Sequence, residues 1–326
     1  MNLAVGFFDG VHLGHQRILA RADAALTFQE HPLAVLAPEK APPLLMTPEE
    51  RLAAISIALK GSNREVITKP GRDGARPSHI CVNVLRNGRD ALRRVRIREC
   101  SAITSRVRAL AFTRELAAES PEEFATRLRH DYPYLEAILC GPNWRFGAGG
   151  AGDAEFLRAR GFTVEVVPME TLEEAPVSST RIRMALQAGD LQLANAMLGR
   201  PFAVTGEVAP GKGEGRELGF PTINVRPANH CLSRLLPFGA YVADTVWGRA
   251  VANWGQAPTM GARAWPTPVL EVHLIRPLTP LEPLKALTVG LLRFLRPERR
   301  FASAEELKKQ IALDVFSASQ SPSNSL

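Results

Sequence analysis

The pattern of apolar residues changes near residue 199, and this change constrains the fold more than any other feature of the chain. Before it, short apolar runs alternate with helical patterns, which predicts a parallel, doubly wound α/β sheet. After it, short β-rich runs are separated by Gly and Pro turns, which predicts a small antiparallel β-barrel. We therefore expect an α/β domain over residues 1–185 and a barrel domain with a C-terminal helix over residues 186–316.

Capping and turn residues define the individual elements. Two stretches, 47–50 and 120–123, place a hydroxyl at the N-cap, Pro at the first helical position and Glu at the third, so each predicts a helix start. Residues 182–198 indicate a helical connector, 307–315 a closing helix, and the Ser-rich stretch 317–326 a disordered tail. The apolar runs that we interpret as strands in the first half are 3–7, 25–28, 107–112, 137–140 and 162–167. Residues 64–68 are an alternative to 107–112, which we favour because it runs directly into the next helical pattern. In the second half the strands are 202–208, 239–246, 249–254, 268–274 and 287–295.

Composition excludes several classes of protein. The 326 residues are 45% hydrophobic and 22% charged, which argues against a mainly disordered or fibrous chain. No run of 18 apolar residues is present, and the first residues lack the basic and apolar regions of a signal peptide. Four cysteines show no Cys-x-x-Cys spacing, which argues against a zinc ribbon and fits a reducing compartment. We therefore expect a cytoplasmic protein with no membrane partner.

The net charge of +7 is concentrated in one segment. Residues 60–111 hold 13 Lys and Arg against 4 Asp and Glu, so the rest of the chain carries a charge of −2. Within this segment, residues 68–106 are Arg-rich and broken by Gly and Pro, and they interrupt a helix-to-strand connection of a kind that is usually short. We interpret them as an insertion. The segment has no Trp, Tyr or Phe on which bases can stack, so we expect no nucleic-acid partner.

Residues 6–15, Gly-Phe-Phe-Asp-Gly-Val-His-Leu-Gly-His, form the most informative motif. A predicted strand leads into a turn where His12 and His15 lie three residues apart at a helix start, so both imidazoles can point at one ligand. Gly10 and Gly14 allow the backbone to approach a phosphate, and a helix N-terminus favours an anion. Two histidines beside a triphosphate can stabilise charge that develops on the α-phosphorus and its leaving group.

A second phosphate-binding pattern occurs near residue 180. Ser178, Ser179 and Thr180 are consecutive hydroxyl residues at a predicted helix N-terminus, and Arg181 follows directly. This arrangement is typical of a phosphate cradle, although Ser and Thr also serve simply as helix caps. The presence of the motif at 6–15 favours the cradle.

The second half contains a Gly-rich loop at residues 211–219. Such loops can wrap phosphates with backbone N–H groups, although ordinary turns are also rich in glycine. The loop is not a Walker A sequence, because Gly213 follows Lys212 where Ser or Thr is required. Thr222 and Asn224 come next and lie two residues apart on a predicted strand. They therefore face the same side and can jointly hold Mg²⁺ and a phosphate oxygen.

The motifs of the first half together resemble the nucleotidyltransferase superfamily, and the string at 6–15 resembles the bacterial bifunctional riboflavin kinase/FAD synthetase family. Residues 143–147 and 27–32 match two further motifs of that family, with Gln29 where an acidic residue is common. The resemblance implies a Rossmann-like domain that transfers AMP from ATP to FMN, giving FAD and pyrophosphate, with His12 and His15 as catalytic residues. It also implies nucleotide contacts by Gly6, Phe7, Phe8, Asp9, Gly10, Asn143, Ser178, Ser179, Thr180 and Arg181.

The second half resembles the riboflavin kinase half of the same family. Residues 215–224 match its signature, with Ile223 where Ala is usual, and residues 251–255 and 270–274 match two further runs. The resemblance implies phosphorylation of riboflavin to FMN, with Glu271 as the general base that takes the proton of the ribityl 5′-hydroxyl. The implied nucleotide contacts are Gly211, Lys212, Gly219 and Pro221, and the implied Mg²⁺ ligands are Thr222 and Asn224.

The resemblance covers nearly the whole chain except residues 68–106. It implies a bifunctional enzyme that uses riboflavin, FMN and ATP with Mg²⁺, and we expect a monomer or a weak homo-oligomer. Two alternatives stay open. One is a kinase-only enzyme, because the short N-terminus, Gln29 or the insertion can impair the adenylyltransferase. The other is a nucleic-acid-binding protein that acts through the basic segment at 60–111.

Overall fold

The computed structural model describes residues 1–59, 106–210, 215, 218–255, 268–276 and 284–320. These residues group into two compact units. The first unit consists of residues 1–59 and 106–179, and the second begins at residue 180. Most of the predicted insertion, Gly211, Lys212 and the last six residues of the predicted tail lie outside the described residues. Across the described ranges, no helix is both long and apolar enough to cross a membrane.

The first unit is built on a five-stranded parallel sheet. Its strands are β1 (Asn2–Val5), β2 (Ala24–Phe28), β3 (Val107–Leu110), β4 (Ala137–Cys140) and β5 (Val164–Val166). They lie in the order β3-β2-β1-β4-β5, and every neighbouring pair is parallel. The chain thus leaves β1 toward one edge of the sheet and later returns to the other side of β1. Sheets of this kind bind ligands at that switch point, outside the carboxyl ends of the strands.

Six helices of the first unit flank these strands within the described residues. They are α1 (Leu13–Leu19), α2 (Pro32–Leu36), α3 (Pro48–Ala58), α4 (Arg114–Ala118), α5 (Pro121–Asp131) and α6 (Ala154–Arg158). Both predicted capping boxes are present. Thr47 Oγ1 accepts the N–H of Glu50, and Ser120 Oγ accepts the N–H of Glu123, each at 3.2 Å, while both Glu carboxylates accept the N-cap N–H in return.

The buried core of the first unit lies between the sheet and two of these helices. Leu128 of α5 and Leu157 of α6 are almost fully buried against Leu3 of β1 and Ile138 of β4. A short hairpin, β6 (Thr171–Leu172) with β7 (Ala175–Pro176), precedes the end of the unit. The predicted Rossmann-like class of this half is confirmed.

Two helices lie where the sequence predicts a single connector at 182–198. α7 (Ser179–Gln187) begins at the last residue of the first unit, and α8 (Leu191–Leu198) follows it. Gly189 breaks the path with a φ of 76°, a conformation that glycine adopts without strain. Asp190 then caps α8, because its Oδ1 accepts a backbone N–H of the first turn at 3.0 Å. The predicted helical connector is therefore present, and a turn that the apolar spacing does not show divides it into two helices.

The second unit is a closed barrel of six strands. These are β8 (Phe202–Ala209), β9 (Thr222–Pro227), β10 (Gly239–Thr245), β11 (Gly248–Gly255), β12 (Val269–Leu274) and β13 (Ala286–Pro297). The strand order around the barrel is β10-β11-β12-β9-β8-β13, and the paired strands are antiparallel. The predicted small antiparallel barrel is confirmed.

The last helix, α9 (Ala304–Gln320), packs on the outer face of the barrel. Ala318 is fully buried there, and Asp314 forms an ion pair with Arg296 at the end of β13, with 2.8 Å between Oδ2 and Nη2. The helix therefore continues through residues 317–320, where the sequence predicts a disordered tail. Burial of Ala318 gives this Ser-rich segment a reason to stay helical.

Candidate active sites

The turn that follows β1 lies at the switch point of the parallel sheet. Phe8, Gly10 and Val11 adopt positive φ angles of 57°, 80° and 40°. For a residue other than glycine, this conformation costs about 1–3 kcal/mol, and it is found mostly at functional sites. The same turn carries Gly6 and Phe7, which the sequence also assigns to the nucleotide. The backbone geometry thus points to a ligand-binding role for the turn.

Asp9 anchors this turn. Its carboxylate is buried and accepts the backbone N–H of Leu45, at 3.1 Å and 3.2 Å from the two oxygens. Its carbonyl oxygen accepts the hydroxyl of Ser179 at 2.8 Å. The first residue of α7 is therefore held against the turn. The two phosphate-binding motifs of the sequence must lie close together in this way if they bind one ligand.

His12 and His15 stand together at the start of α1. Their rings are stacked, with centroids 3.6 Å apart and planes inclined by 21°. Burial, and then the charge of His12, hold the pKa of His15 well below its usual value. Two imidazolium rings at this distance repel each other strongly, so at neutral pH the pair holds at most one charge. His15 is thus a neutral imidazole at neutral pH.

The low pKa of His15 predicts a loss of stability in acid. The unfolded chain takes up a proton near pH 6.5, whereas the folded site resists it, so the unfolded state binds more protons below that pH. We expect the unfolding free energy of the first unit to fall as the pH drops below about 6.5, by up to about 1.4 kcal/mol per pH unit for one proton. Urea unfolding followed at several pH values measures this slope. His15→Gln should flatten the slope, and equal slopes in both proteins would contradict the prediction.

Asn143 lies in the loop after β4, the neighbour of β1, and therefore at the same edge of the sheet. Its Nδ2 lies 4.0 Å from the sulfur of Met169. Stacked rings of Trp144 and Phe146, with centroids 4.8 Å apart, support this loop. The other predicted residues of this motif set flank the start of α7: Ser178 precedes it, and Thr180 and Arg181 occupy its first turn.

Arg51 is a residue of this region that the sequence analysis does not single out. Its side chain is completely buried, and its Nη2 donates to the carbonyl oxygens of Phe28 and Gln29 at 2.6 Å and 2.8 Å. The guanidinium carbon lies 3.9 Å from the centroid of the Phe7 ring. Arg51 thus connects the exits of β1 and β2. The sequence signal that could have identified Arg51 is a charged residue one turn after the Thr47 cap, among the apolar residues of α3.

The second candidate site lies on the outer face of the barrel, across β11, β12 and β9. Glu271 pairs directly with Asn224 on one side and with Asn253 on the other. Directly paired side chains share a face with Cβ atoms about 4.5–5.5 Å apart, so the three form one polar row. Leu270 and Val272, which alternate with Glu271, are fully buried on the opposite face. Asn253 is a further residue that the sequence analysis does not name, although it lies in the matched run at 251–255.

Asn224 carries an unused hydrogen-bond acceptor in this row. The residue is only 6% exposed, and its Oδ1 is buried without a hydrogen-bond partner among the described residues. A buried polar atom left without a partner costs about 1–3 kcal/mol, and such an exception calls for an explanation. An amide oxygen in this situation is suited to a cation or a donor supplied by a ligand.

Gly215 of the Gly-rich loop lies close to Thr222. A Cβ atom on Gly215 would lie 2.5 Å from the carbonyl oxygen of Phe220 and 3.2 Å from Oγ1 of Thr222, so only glycine fits there. Gly219 has a φ of 87°, and Pro221 immediately precedes β9. The structure therefore brings the described part of the loop and the candidate metal ligands together.

Two family models, one for each half of the chain, indicate a two-domain transferase. A family model for FAD synthetase matches residues 1–58 and 92–181, and a model for riboflavin kinase matches residues 198–321. The first model leaves out residues 59–91, whereas the sequence predicts an insertion at 68–106. The described residues contain no group of three or more His, Cys, Asp and Glu side chains placed to hold a metal ion.

Full-length relatives identify the family. The chain is 34% identical to a bifunctional riboflavin kinase/FMN adenylyltransferase of Pseudomonas fluorescens, over 96% of this chain and 90% of the relative. It is 31% identical to the protein of the same name from Escherichia coli strain K12, over 97% of this chain and 91% of the relative. It is 29% identical to that of Bacillus subtilis, over 96% of this chain and 89% of the relative. The chain belongs to the bifunctional riboflavin kinase/FMN adenylyltransferase family. The family and enzyme class predicted from the sequence are confirmed, and neither alternative receives support.

A solved structure supports the same architecture. The crystal structure described as a macrolide-efflux protein from Streptococcus pneumoniae matches with a TM-score of 0.71, over 98% of this chain and 94% of that chain. The two sequences are 23% identical. At this identity the likeness concerns the fold alone.

Proposed function

We propose that the α/β domain adenylylates FMN to FAD and that the barrel domain phosphorylates riboflavin to FMN, both with ATP, with the domain boundary near residue 185. The family supports the two activities. The observation that carries the residue assignment is the presence of two separate polar sites in the described chain, one at each place that the sequence motifs predict. They are the stacked His12–His15 pair at the sheet switch point and the row of Glu271, Asn224 and Asn253 on the barrel.

In the adenylyltransferase site, a phosphate oxygen of FMN attacks the α-phosphorus of ATP. The bond between the α-phosphorus and its bridging oxygen breaks, and pyrophosphate leaves. His12 stabilises the charge that develops on the transferring and leaving oxygens, while neutral His15 lies stacked on it. The turn at 6–10 and the start of α7 supply backbone N–H groups for the phosphates. The hydrogen bond from Ser179 to the carbonyl oxygen of Asp9 keeps these two segments close enough to serve one ligand.

In the kinase site, the ribityl 5′-hydroxyl of riboflavin attacks the γ-phosphorus of ATP, and ADP leaves. Glu271 accepts the hydroxyl proton as the oxygen attacks. Thr222 and Asn224 would hold Mg²⁺, and the buried Oδ1 of Asn224, which lacks a partner among the described residues, fits an oxygen-seeking cation. When bound, Mg²⁺ neutralises phosphate charge. We further propose a cytoplasmic location and a monomer or weak homo-oligomer.

Incubation of the purified chain with riboflavin, ATP and Mg²⁺ tests this function. Chromatography of the flavins should show FMN first and FAD later, with one pyrophosphate released per FAD. EDTA should stop both steps. FMN that accumulates without FAD, both from riboflavin and when FMN is supplied directly, would contradict the bifunctional assignment.

A further inference from the structure

His273 lies next to the kinase site but has none of the roles that are assigned above to the residues of that site. It follows Glu271 by two residues on β12, so both side chains share the outer face of the barrel. Across the ladder it pairs directly with Thr222, at the first position of β9. His273 therefore stands beside the candidate metal ligand in the same way that Glu271 stands beside Asn224.

The His273 side chain contacts both residues that precede Thr222. Its Nδ1 lies 3.0 Å from the carbonyl oxygen of Pro221, and its ring meets the Phe220 ring edge-on, with centroids 5.3 Å apart and planes inclined by 78°. A carbonyl oxygen only accepts hydrogen bonds, so Nδ1 must carry the hydrogen.

These contacts act where the strand ladder has ended. The β9–β12 pairing stops at Thr222 and His273, and Pro221 has no N–H with which to extend it. The imidazole thus supplies the next bond in place of the backbone. Phe220 is held on its other side, because its N–H donates to the carbonyl oxygen of Gly215 at 2.7 Å. A continuous set of contacts therefore runs from His273 through Phe220 to Gly215 of the Gly-rich loop.

We propose that His273 is a positioning residue of the kinase site. Through Nδ1–H and the edge-on contact with Phe220, it sets the path of residues 220–222. It thereby sets the direction of the Thr222 hydroxyl and the distance between Thr222 and Gly215. It acts on the phosphate end of the site and not on the flavin. This inference rests on the proposed kinase function of the barrel.

A pair of amide substitutions separates the two ring nitrogens. In His273→Asn the side-chain NH₂ takes the place of Nδ1–H and can still donate to Pro221, whereas in His273→Gln it lies near the place of Nε2. Because misplacement by about 1 Å can cost about 100-fold, we expect His273→Gln to lower kcat/KM for MgATP in riboflavin phosphorylation at least about tenfold. His273→Asn should keep at least about a third of the wild-type value. The KM for riboflavin should stay near that of the wild type in both.

Three controls accompany this test. FAD synthesis from supplied FMN reports whether the α/β domain of each variant is intact, and thermal unfolding followed by circular dichroism reports whether the barrel still folds. His230→Gln replaces an exposed histidine of the same unit. Wild-type kcat/KM in His273→Gln, or equal losses in the Asn and Gln variants, would overturn the positioning role while leaving the kinase assignment intact. A wild-type chain that forms no FMN from riboflavin would instead overturn the proposed function, and this inference with it.

Discussion

Substitution of His12 by alanine should lower the rate of FAD formation from FMN by about 10²- to 10⁴-fold and leave riboflavin phosphorylation unchanged. His12 is 6% exposed and stacked on His15 at 3.6 Å, so no solvent-borne group can readily replace it. Its loss removes the group proposed to stabilise the departing pyrophosphate. Ground-state contacts with ATP are made mainly by the turn at 6–10, so the effect should fall on kcat more than on the KM for ATP.

The two histidines should behave as one unit. Because the two rings are stacked on each other, His15→Ala should lower the same rate, and the double variant should be little worse than either single one. His130→Ala is the matched control, since His130 is an exposed histidine of the same unit with a side chain 87% accessible. FAD synthesis at the wild-type rate in His12→Ala, with kinase activity intact, would exclude this pair as the catalytic centre.

Local patterns were sufficient to predict most elements. The strand at 137–140 and both capping boxes occur where the sequence places them, because their determinants lie within four or five residues. The break in the helical connector at 182–198 was not predicted, because an apolar pattern does not show the positive φ of Gly189. Caps and strands can thus be predicted from the sequence where their local determinants agree with the spacing of apolar residues.

Long-range relations in the sites were less accessible to the sequence. Spacing places Thr222 and Asn224 on one face, but the pairing of Asn224 with Glu271 depends on the register of β9 and β12, which barrel closure sets. Arg51 was missed because its partners are two backbone carbonyls, at the last residue of β2 and at the residue that follows it. His273 was missed because its partner is the carbonyl of Pro221. No sequence motif reports hydrogen bonds to a distant main chain.

Substitution of Glu271 by glutamine should lower kcat for riboflavin phosphorylation by about 10²- to 10⁴-fold, with FAD synthesis from FMN unaffected. Glutamine has nearly the same shape, so the polar row with Asn224 and Asn253 can persist, and the KM values for riboflavin and MgATP should change little. What is lost is the ability to accept the proton of the attacking hydroxyl. A fall in kcat at constant KM therefore distinguishes a general base from a binding residue.

Glu305→Gln is the matched control for this substitution, because Glu305 is an exposed carboxylate in the first turn of α9 and lies outside the polar row. It should phosphorylate riboflavin at the wild-type rate. A parallel measurement of MgATP binding to Glu271→Gln should give a dissociation constant close to that of the wild-type chain, since Thr222 and Asn224 remain in place. If Glu271→Gln kept more than about a tenth of the wild-type kcat, proton transfer to Glu271 would supply less than the roughly 10²-fold expected of a general base. The reaction would then depend on positioning and phosphate neutralisation alone, as phosphoryl transfer through a loose transition state permits.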